Sequence, residues 1–318
     1  MADLINAGDP PARAAELEAM GVDIICAHVG IDQQMTGKDS LDLLATLAGK
    51  VHIPVAIAGG IDAEGAAEAV RRGAGIVIVG GWIVRSADVT GSTRKIREAM
   101  DKPSGTLREK KSIDEETRAL FLKVSAPNIT DAMHRKGAMA GIFSLCGNVK
   151  MVGRAVTVHT IAGDWAKPVE AIDVAKKDEV IVINNDGVTD VAPWGELATM
   201  SCKTKGISGV VIDGAVRDVD DIRAMKFPVF AKAIVPNAGE PKGFGEINAE
   251  IRCAGQYVRP GDWIIGDESG VVVVPQERAY EIARRALEVR KNEERIREEI
   301  RRGSTLSEVA ELIKWEKK

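Results

Sequence analysis

Aromatic side chains are scarce in this chain: five Trp, two Tyr and five Phe, 4% of 318 residues. Proteins that hold single-stranded nucleic acid without sequence preference stack its bases on rings, so this scarcity argues against such a platform. An excess of positive charge is missing too. The 43 Lys and Arg against 47 Asp and Glu leave a formal net charge of −4, which offers no electrostatic footprint to a polyanion. Only four cysteines occur, Cys26, Cys146, Cys202 and Cys253, far apart and without a Cys-x-x-Cys pair. That spacing argues against a zinc knuckle or a disulfide framework and fits a reducing cytoplasm. Cys202 reads as a small buried thiol ahead of a nucleophile. No apolar run approaches the length of a membrane span, and the N-terminus lacks a basic and apolar leader pattern. What remains is an ordinary globular composition, 45% hydrophobic and 28% charged, at a length that suits two domains.

Residues 1 to about 100 repeat a short apolar run followed by an Ala- and Glu-rich stretch, the pattern of parallel βα units. Strands are predicted at ADLIN and over 22–30, 51–60 and 74–81, with helices near 10–20, 39–48, 63–72 and 91–100. Strands this apolar on both faces belong between helix layers. Two of them end in paired glycines, Gly59-Gly60 and Gly80-Gly81, whose bare backbone either approaches an anion closely or shapes a tight turn. His28 closes the second strand, where an imidazole is either structural or a handler of protons.

The runs DLIN, HVGIDQQMTG, IPVAIAGGI and IVIVGGWI resemble, in order and spacing, the last four βα units of 3-hexulose-6-phosphate synthase, a (β/α)8 barrel of the orotidine-phosphate decarboxylase superfamily. The resemblance implies a pentose or hexulose phosphate held at Gly59, Gly60, Gly80 and Gly81, and an acid or base at His28. That family's Asp-x-Lys-x-x-Asp motif and its first four units have no counterpart here. Residues 1–101 are therefore expected to form a truncated half barrel without formaldehyde-fixing activity of its own. An upstream gene start, pairing with a second copy, or retention as an interaction surface would each account for it.

Residues 102–111, with Pro103 and Gly105, read as a linker. A helix is expected from Ser112 and a second over about 128–136, ending at Gly137. Beyond about 140 strands dominate (GRAVTVHTI, EVIVINN, GVVIDGA, PVFAKAI, WIIGDES, GVVVVP) with few helices between them. This departs from the regular alternation of the first third and points to a mixed domain around β-sheets. The stretch 276–302 is an Arg- and Glu-rich helix packed by one face, and 305–315 a last short one.

The chemistry concentrates in residues 194–221. Twenty residues lie between Glu196 and Arg217, about one helix plus one strand, so a helix–strand return brings the two ends together. A guanidinium holds a carboxylate by two parallel hydrogen bonds, and Asp or Glu oxygens suit a hard divalent cation. Arg217 and Asp218 as a mere surface ion pair is the plainer alternative.

Residues 112–300 resemble the RraA-like family, which includes class II 4-hydroxy-4-methyl-2-oxoglutarate aldolases and the regulator of ribonuclease E activity. The resemblance rests on SAPNITD (125–131), GRAVT (153–157), WGEL (194–197), GVVIDGAVRD (209–218), FPVF (227–230) and PGD (260–262). It implies a β/β/α swivelling-type fold assembled as homo-oligomers, usually trimers. It implies Mg2+ or Mn2+ on Asp218, with Asp221 as a further carboxylate. A small 2-oxo acid would sit on Arg217 and on the backbone of Gly195, Leu197 and Ala198. Glu196 stands where the aldolases carry Asp, so substrate identity turns on it. The expected fold class is α/β, a truncated half (β/α)8 barrel over 1–101 followed by an RraA-like domain over 112–318. The expected function is a metal-dependent carbon–carbon lyase in the cytoplasm, with no membrane or nucleic-acid partner. The alternatives are the hexulose-phosphate synthase of a bifunctional fusion and a non-catalytic protein-binding regulator.

Overall fold

A computed structural model of the chain describes residues 1–86, 88–103 and 112–310. Most of the expected linker, and the expected last helix beyond residue 310, lie outside the described residues. The chain divides into two compact units, Met1–Ser112 and Ile113–Lys318.

In the first unit four Asp residues each start a helix. Asp9, Asp39, Asp62 and Asp88 accept backbone N–H bonds from the first turns of α1 (Pro10–Ala19), α3 (Ser40–Leu47), α4 (Ala63–Arg71) and α6 (Val89–Asp101). Short helices α2 (Ile31–Gln34) and α5 (Gly81–Val84) follow two of the strands. The strands β1 (Ala2–Asp3), β2 (Ile25–His28), β3 (Val55–Ala58) and β4 (Ile76–Ile78) form one parallel sheet in sequence order. Four parallel βα units make half of an eight-unit barrel. Ile25, Ala27 and Ile57 meet Leu41, Leu44 and Leu47 of α3 in the core. The expectation that every strand is buried fails at β4: Ile76 and Ile78 are 37% and 40% exposed. The cause is position, since β4 ends the sheet and pairs with β3 alone among the described strands.

The second unit is built on one sheet in the order β14-β13-β6-β7-β8-β9-β5, with β10 (Gly245–Ile247) also paired to β6. At its centre β6 (Met151–Thr160), β7 (Val180–Asn184), β8 (Gly209–Val216) and β9 (Val229–Ile234) run parallel. They are joined by α9 (Ala166–Val174), α10 (Glu196–Lys205) and α11 (Val219–Met225). The βα alternation therefore continues through four strands, contrary to the irregular pattern expected from the sequence. Only α10 matches an expected helix; α9 and α11 have 9 and 7 residues, too few turns for a clear helical period. Alternate side chains serve two faces: Ile181 and Ile183 pack with Ile212 and Trp194, Val180 and Val182 with Val211 and Phe230. β5 (Phe143–Ser144), β13 (Trp263–Asp267) and β14 (Gly270–Val274) complete the sheet antiparallel, and β11 (Ile251–Cys253) pairs with β12 (Gln256–Val258) apart from it.

Helices α7 (Ile113–Lys123), α8 (Ala126–Ala132) and α12 (Ala279–Arg301) pack on β13 and β14 around Phe121, Ile129, Trp263 and Ile282. The predicted helix over 128–136 is displaced. Ser125 caps its start and Pro127 sits in its first turn, while His134 and Arg135 turn left-handed and end it before Gly137. α12 buries Ala279, Ile282, Ala283 and Ala286 and then runs on through exposed ion pairs such as Arg290–Glu294, one packed face as expected. α13 (Leu306–Val309) follows it.

Candidate active site

The return predicted between Glu196 and Arg217 closes through the backbone. β8 ends at Val216, and the next N–H, that of Arg217, donates to the Trp194 carbonyl at 3.1 Å. Trp194 is itself fixed: its indole Nε1 donates to Thr199 Oγ1 at 2.9 Å, and that hydroxyl donates to the Gly195 carbonyl at 2.9 Å. Gly195 precedes α10, whose first-turn N–H groups have no intrahelical acceptor. One of them, Glu196 N–H, donates to Asp218 Oδ2 at 3.3 Å, and Arg217 Nε lies 3.4 Å from the same oxygen.

Asp218 takes the left-handed conformation, φ 58° and ψ 40°. A non-glycine residue is held there at a cost of order 1–3 kcal/mol only when its surroundings fix it. Arg217 and Asp218 remain accessible, with side chains 42% and 37% exposed. They open on a cavity of about 360 Å3 that Gly195, Glu196, Leu197 and Ala198 also line. Asp221, in the first turn of α11, is not on that wall. The four cysteines are buried. Burial pushes the Cys202 thiol up to about 12, only partly offset by Lys205, so it stays protonated and takes no nucleophilic part.

Three features of the cavity have no clear mark in the sequence pattern. Trp165, Val169 and Ile172 of the α9 region line the same cavity as Arg217, and Ala238 joins them. Trp165 Nε1 donates to the Gly239 carbonyl at 3.0 Å. Below them lies Asp164, 1% exposed, whose carboxylate accepts from Ala166 and Lys242 at 3.0 Å each and from Phe244 at 3.0 Å. Burial raises its pKa, but backbone N–H donors, Gly243 among them, outweigh burial and hold it below the usual carboxylate range. One buried carboxylate thus ties the start of α9 to the segment carrying Ala238. A sequence shows only a turn Asp between a strand and a helix, which reads as an ordinary cap.

A depressed folded-state value gives the sign of the pH effect. Asp164 stabilises the fold fully above the unfolded carboxylate's pKa, and that contribution is lost as pH falls from there through the folded value. Asp164→Asn is expected to destabilise by about 3 kcal/mol at neutral pH, as loss of charge-assisted bonds does. Urea melts of both forms at falling pH should show the gap narrowing. A gap constant to pH 3 would refute the assignment.

In the first unit His28 Nδ1 lies 2.8 Å from Asp3 Oδ2, both side chains partly exposed at the ends of β2 and β1. Nothing in the sequence pattern marks Asp3; adjacency of the two parallel strands pairs it with His28. Gly59 and Gly60 are left-handed, φ 101° and 70°. A Cβ on Gly59 would sit 2.2 Å from the Val29 carbonyl oxygen, so packing against backbone already requires that glycine, while at Gly60 the left-handed backbone does. Gly80 and Gly81 open α5, and Gly80 has open space where a Cβ would stand. No helix among the described residues is long and apolar enough to cross a membrane.

The RraA-like family model, Aldolase/RraA, matches residues 126–273. An uncharacterized protein of Methanocaldococcus jannaschii is 44% identical over 190 residues, covering 59% of this chain and 90% of that one. A putative 4-hydroxy-4-methyl-2-oxoglutarate aldolase of Halalkalibacterium halodurans is 35% identical over 156 residues, 47% of this chain and 74% of its own. The N-terminal resemblance has its own counterpart. The 3-hexulose-6-phosphate synthase of Bacillus subtilis is 39% identical over 99 residues, 31% of this chain and 47% of the synthase, so the match spans about half of that relative.

Proposed function

The chain belongs to the RraA-like family, and from that premise we propose that it is a divalent-metal-dependent carbon–carbon lyase acting on a small 2-oxo acid through a pyruvate enolate. The observation that carries the reading is the convergence of Arg217, Asp218 and the Gly195 turn on one cavity. A guanidinium beside backbone N–H groups is a receptor for the carboxylate of such an acid.

Asp218 supplies one hard carboxylate oxygen, and among the described residues no three His, Cys, Asp or Glu side chains come together as a metal cluster. That donor set fits an ion that keeps most of its water, as Mg2+ or Mn2+ does. When bound, such an ion acts as a Lewis acid toward the 2-oxo group. Arg217 clamps the neighbouring carboxylate and offsets the negative charge that develops as the C3–C4 bond breaks and its electron pair enters the pyruvate half. In this reading Glu196, half-buried in the cavity lining, takes the proton from a C4 hydroxyl, leaving an aldehyde or ketone; with oxaloacetate the departing group is carbon dioxide. Homo-oligomers are the assembly this reading favours.

Purified protein with Mg2+ is expected to decarboxylate oxaloacetate at a rate that drops to the uncatalysed level in excess EDTA and returns on adding back Mg2+ or Mn2+. Turnover indifferent to EDTA, or none with metal present, would sink the reading. A purely protein-binding regulator would give the second result.

A further inference from the structure

Resting on that reading, we infer that the site is built for a 2-oxo acid whose chain beyond C4 is apolar, and that Trp165, Val169 and Ile172 select against a carboxylate there, a position the shorter oxaloacetate does not reach. The cavity lining has two unlike parts. One carries Arg217, Asp218 and the Gly195 turn. The other is a single stripe of the α9 region, since residues 165, 169 and 172 follow the helical spacing of i, i+4 and i+7. Ala238 extends this apolar surface, and Trp165 is pinned to it through the Gly239 carbonyl.

Charge decides what the apolar part accepts. Among the residues lining the cavity Arg217 is the only cation, while Asp173, Glu196 and Asp218 are acidic. Two lysines of α10 are committed. Lys205 Nζ donates to the Ile172 and Asp173 carbonyls at 2.6 and 2.7 Å, neutralising the C-terminal end of α9, and Lys203 Nζ donates to the Met225 carbonyl at 2.8 Å. With Arg217 occupied by the carboxylate next to the 2-oxo group, a second one would lie against Trp165 and Val169 with Asp173 nearby. It would lose its water without gaining a partner. An alkyl tail in the same place loses only unfavourable hydration. In the lyase reaction this tail is the R group of R–CHOH–CH2–CO–COO−, so cleavage releases pyruvate and an aldehyde with an apolar R.

The test is calorimetric titration of the full chain, with saturating Mg2+, by pyruvate, 2-oxobutanoate, 2-oxopentanoate, 2-oxohexanoate and 2-oxoglutarate. Affinity is expected to rise about fourfold per added methylene, with 2-oxohexanoate bound at least about tenfold more tightly than 2-oxoglutarate of similar length. Val169→Lys, at a position 37% exposed and tolerant of a long side chain, should reverse that order. Equal or tighter binding of 2-oxoglutarate by the native protein would overturn the inference, whether the cation came from Lys242 or from a second copy. Binding in the expected order without cleavage of 4-hydroxy-2-oxo acids would remove the lyase reading and leave the tail specificity standing. Binding of none of the five would remove both.

Discussion

Arg217→Ala is expected to lower kcat/KM for oxaloacetate decarboxylation about 300-fold while leaving the melting temperature almost unchanged. Two charge-assisted hydrogen bonds to a carboxylate contribute about 3–4 kcal/mol together, which corresponds to roughly two to three orders of magnitude in rate. The stability side is small for a separate reason. The Arg217 side chain is 42% exposed and its carboxylate neighbour Asp218 stands 3.4 Å away, a solvent-screened pair of the kind worth ~0–1 kcal/mol. The backbone bond from Arg217 N–H to the Trp194 carbonyl does not depend on the side chain. Arg217→Lys keeps the charge but not the planar fork and should recover only part of the rate. If Arg217 and Asp218 were no more than a surface ion pair, Ala would leave turnover intact, and that result would end the assignment.

The two units differ in how far their sequences disclose them, for physical reasons. The first is readable because each strand is a contiguous apolar run and each main helix starts at an Asp whose carboxylate caps it. The exposure of Ile76 and Ile78 is not, because a strand's rank in the sheet is fixed by its neighbours rather than by its own residues. In the second unit the parallel strands and α10 are legible but α9 and α11 are not, since a helix of two or three turns such as α11 carries too little periodic signal and is held by packing.

The same division runs through the site. Gly195, Glu196, Arg217 and Asp218 lie within one helix–strand return, so chain spacing and family resemblance are enough to bring them together. Trp165 and Val169 enter from more than forty residues upstream of Arg217. They reach the cavity because β6, β7 and β8 are consecutive parallel neighbours, which places the α9 region beside α10. Asp164 acts through backbone N–H groups far ahead in the chain, at Lys242 and Phe244, and no residue type marks such partners. Asp221 is the converse case: nearness in sequence to Arg217 and Asp218 suggests a ligand, while one turn along α11 it does not line the cavity.

Gly195→Ala is expected to reduce kcat/KM about 100-fold, again with little change in stability, and the reason separates function from folding at one methyl group. The backbone there is extended, φ −155° and ψ −162°, a conformation open to alanine, so no conformational strain arises. The added Cβ would instead stand 2.6 Å from Asp218 Oδ2 and 3.2 and 3.3 Å from Arg217 Cγ and Nε. These are side-chain atoms with room to move toward solvent, so the fold relaxes cheaply while the carboxylate and guanidinium leave their working positions. A displacement of about 1 Å in a catalytic group costs on the order of 100-fold in rate. Mg2+ affinity, followed by the activity regained after EDTA treatment, should weaken in parallel because Asp218, the proposed ligand, is the side chain that shifts. Gly153→Ala provides the contrast. Its Cβ would fall 2.3 Å from the Asp178 carbonyl oxygen and 3.0 Å from Val180 Cγ2, against backbone in the middle of a buried sheet. That variant should lose upward of about 2 kcal/mol of stability, as overpacking does, with the kinetic constants of whatever folds left close to native. A Gly195→Ala protein with native kcat/KM would mean that Asp218 and Arg217 need not hold their observed geometry, and the active-site assignment would fail with it.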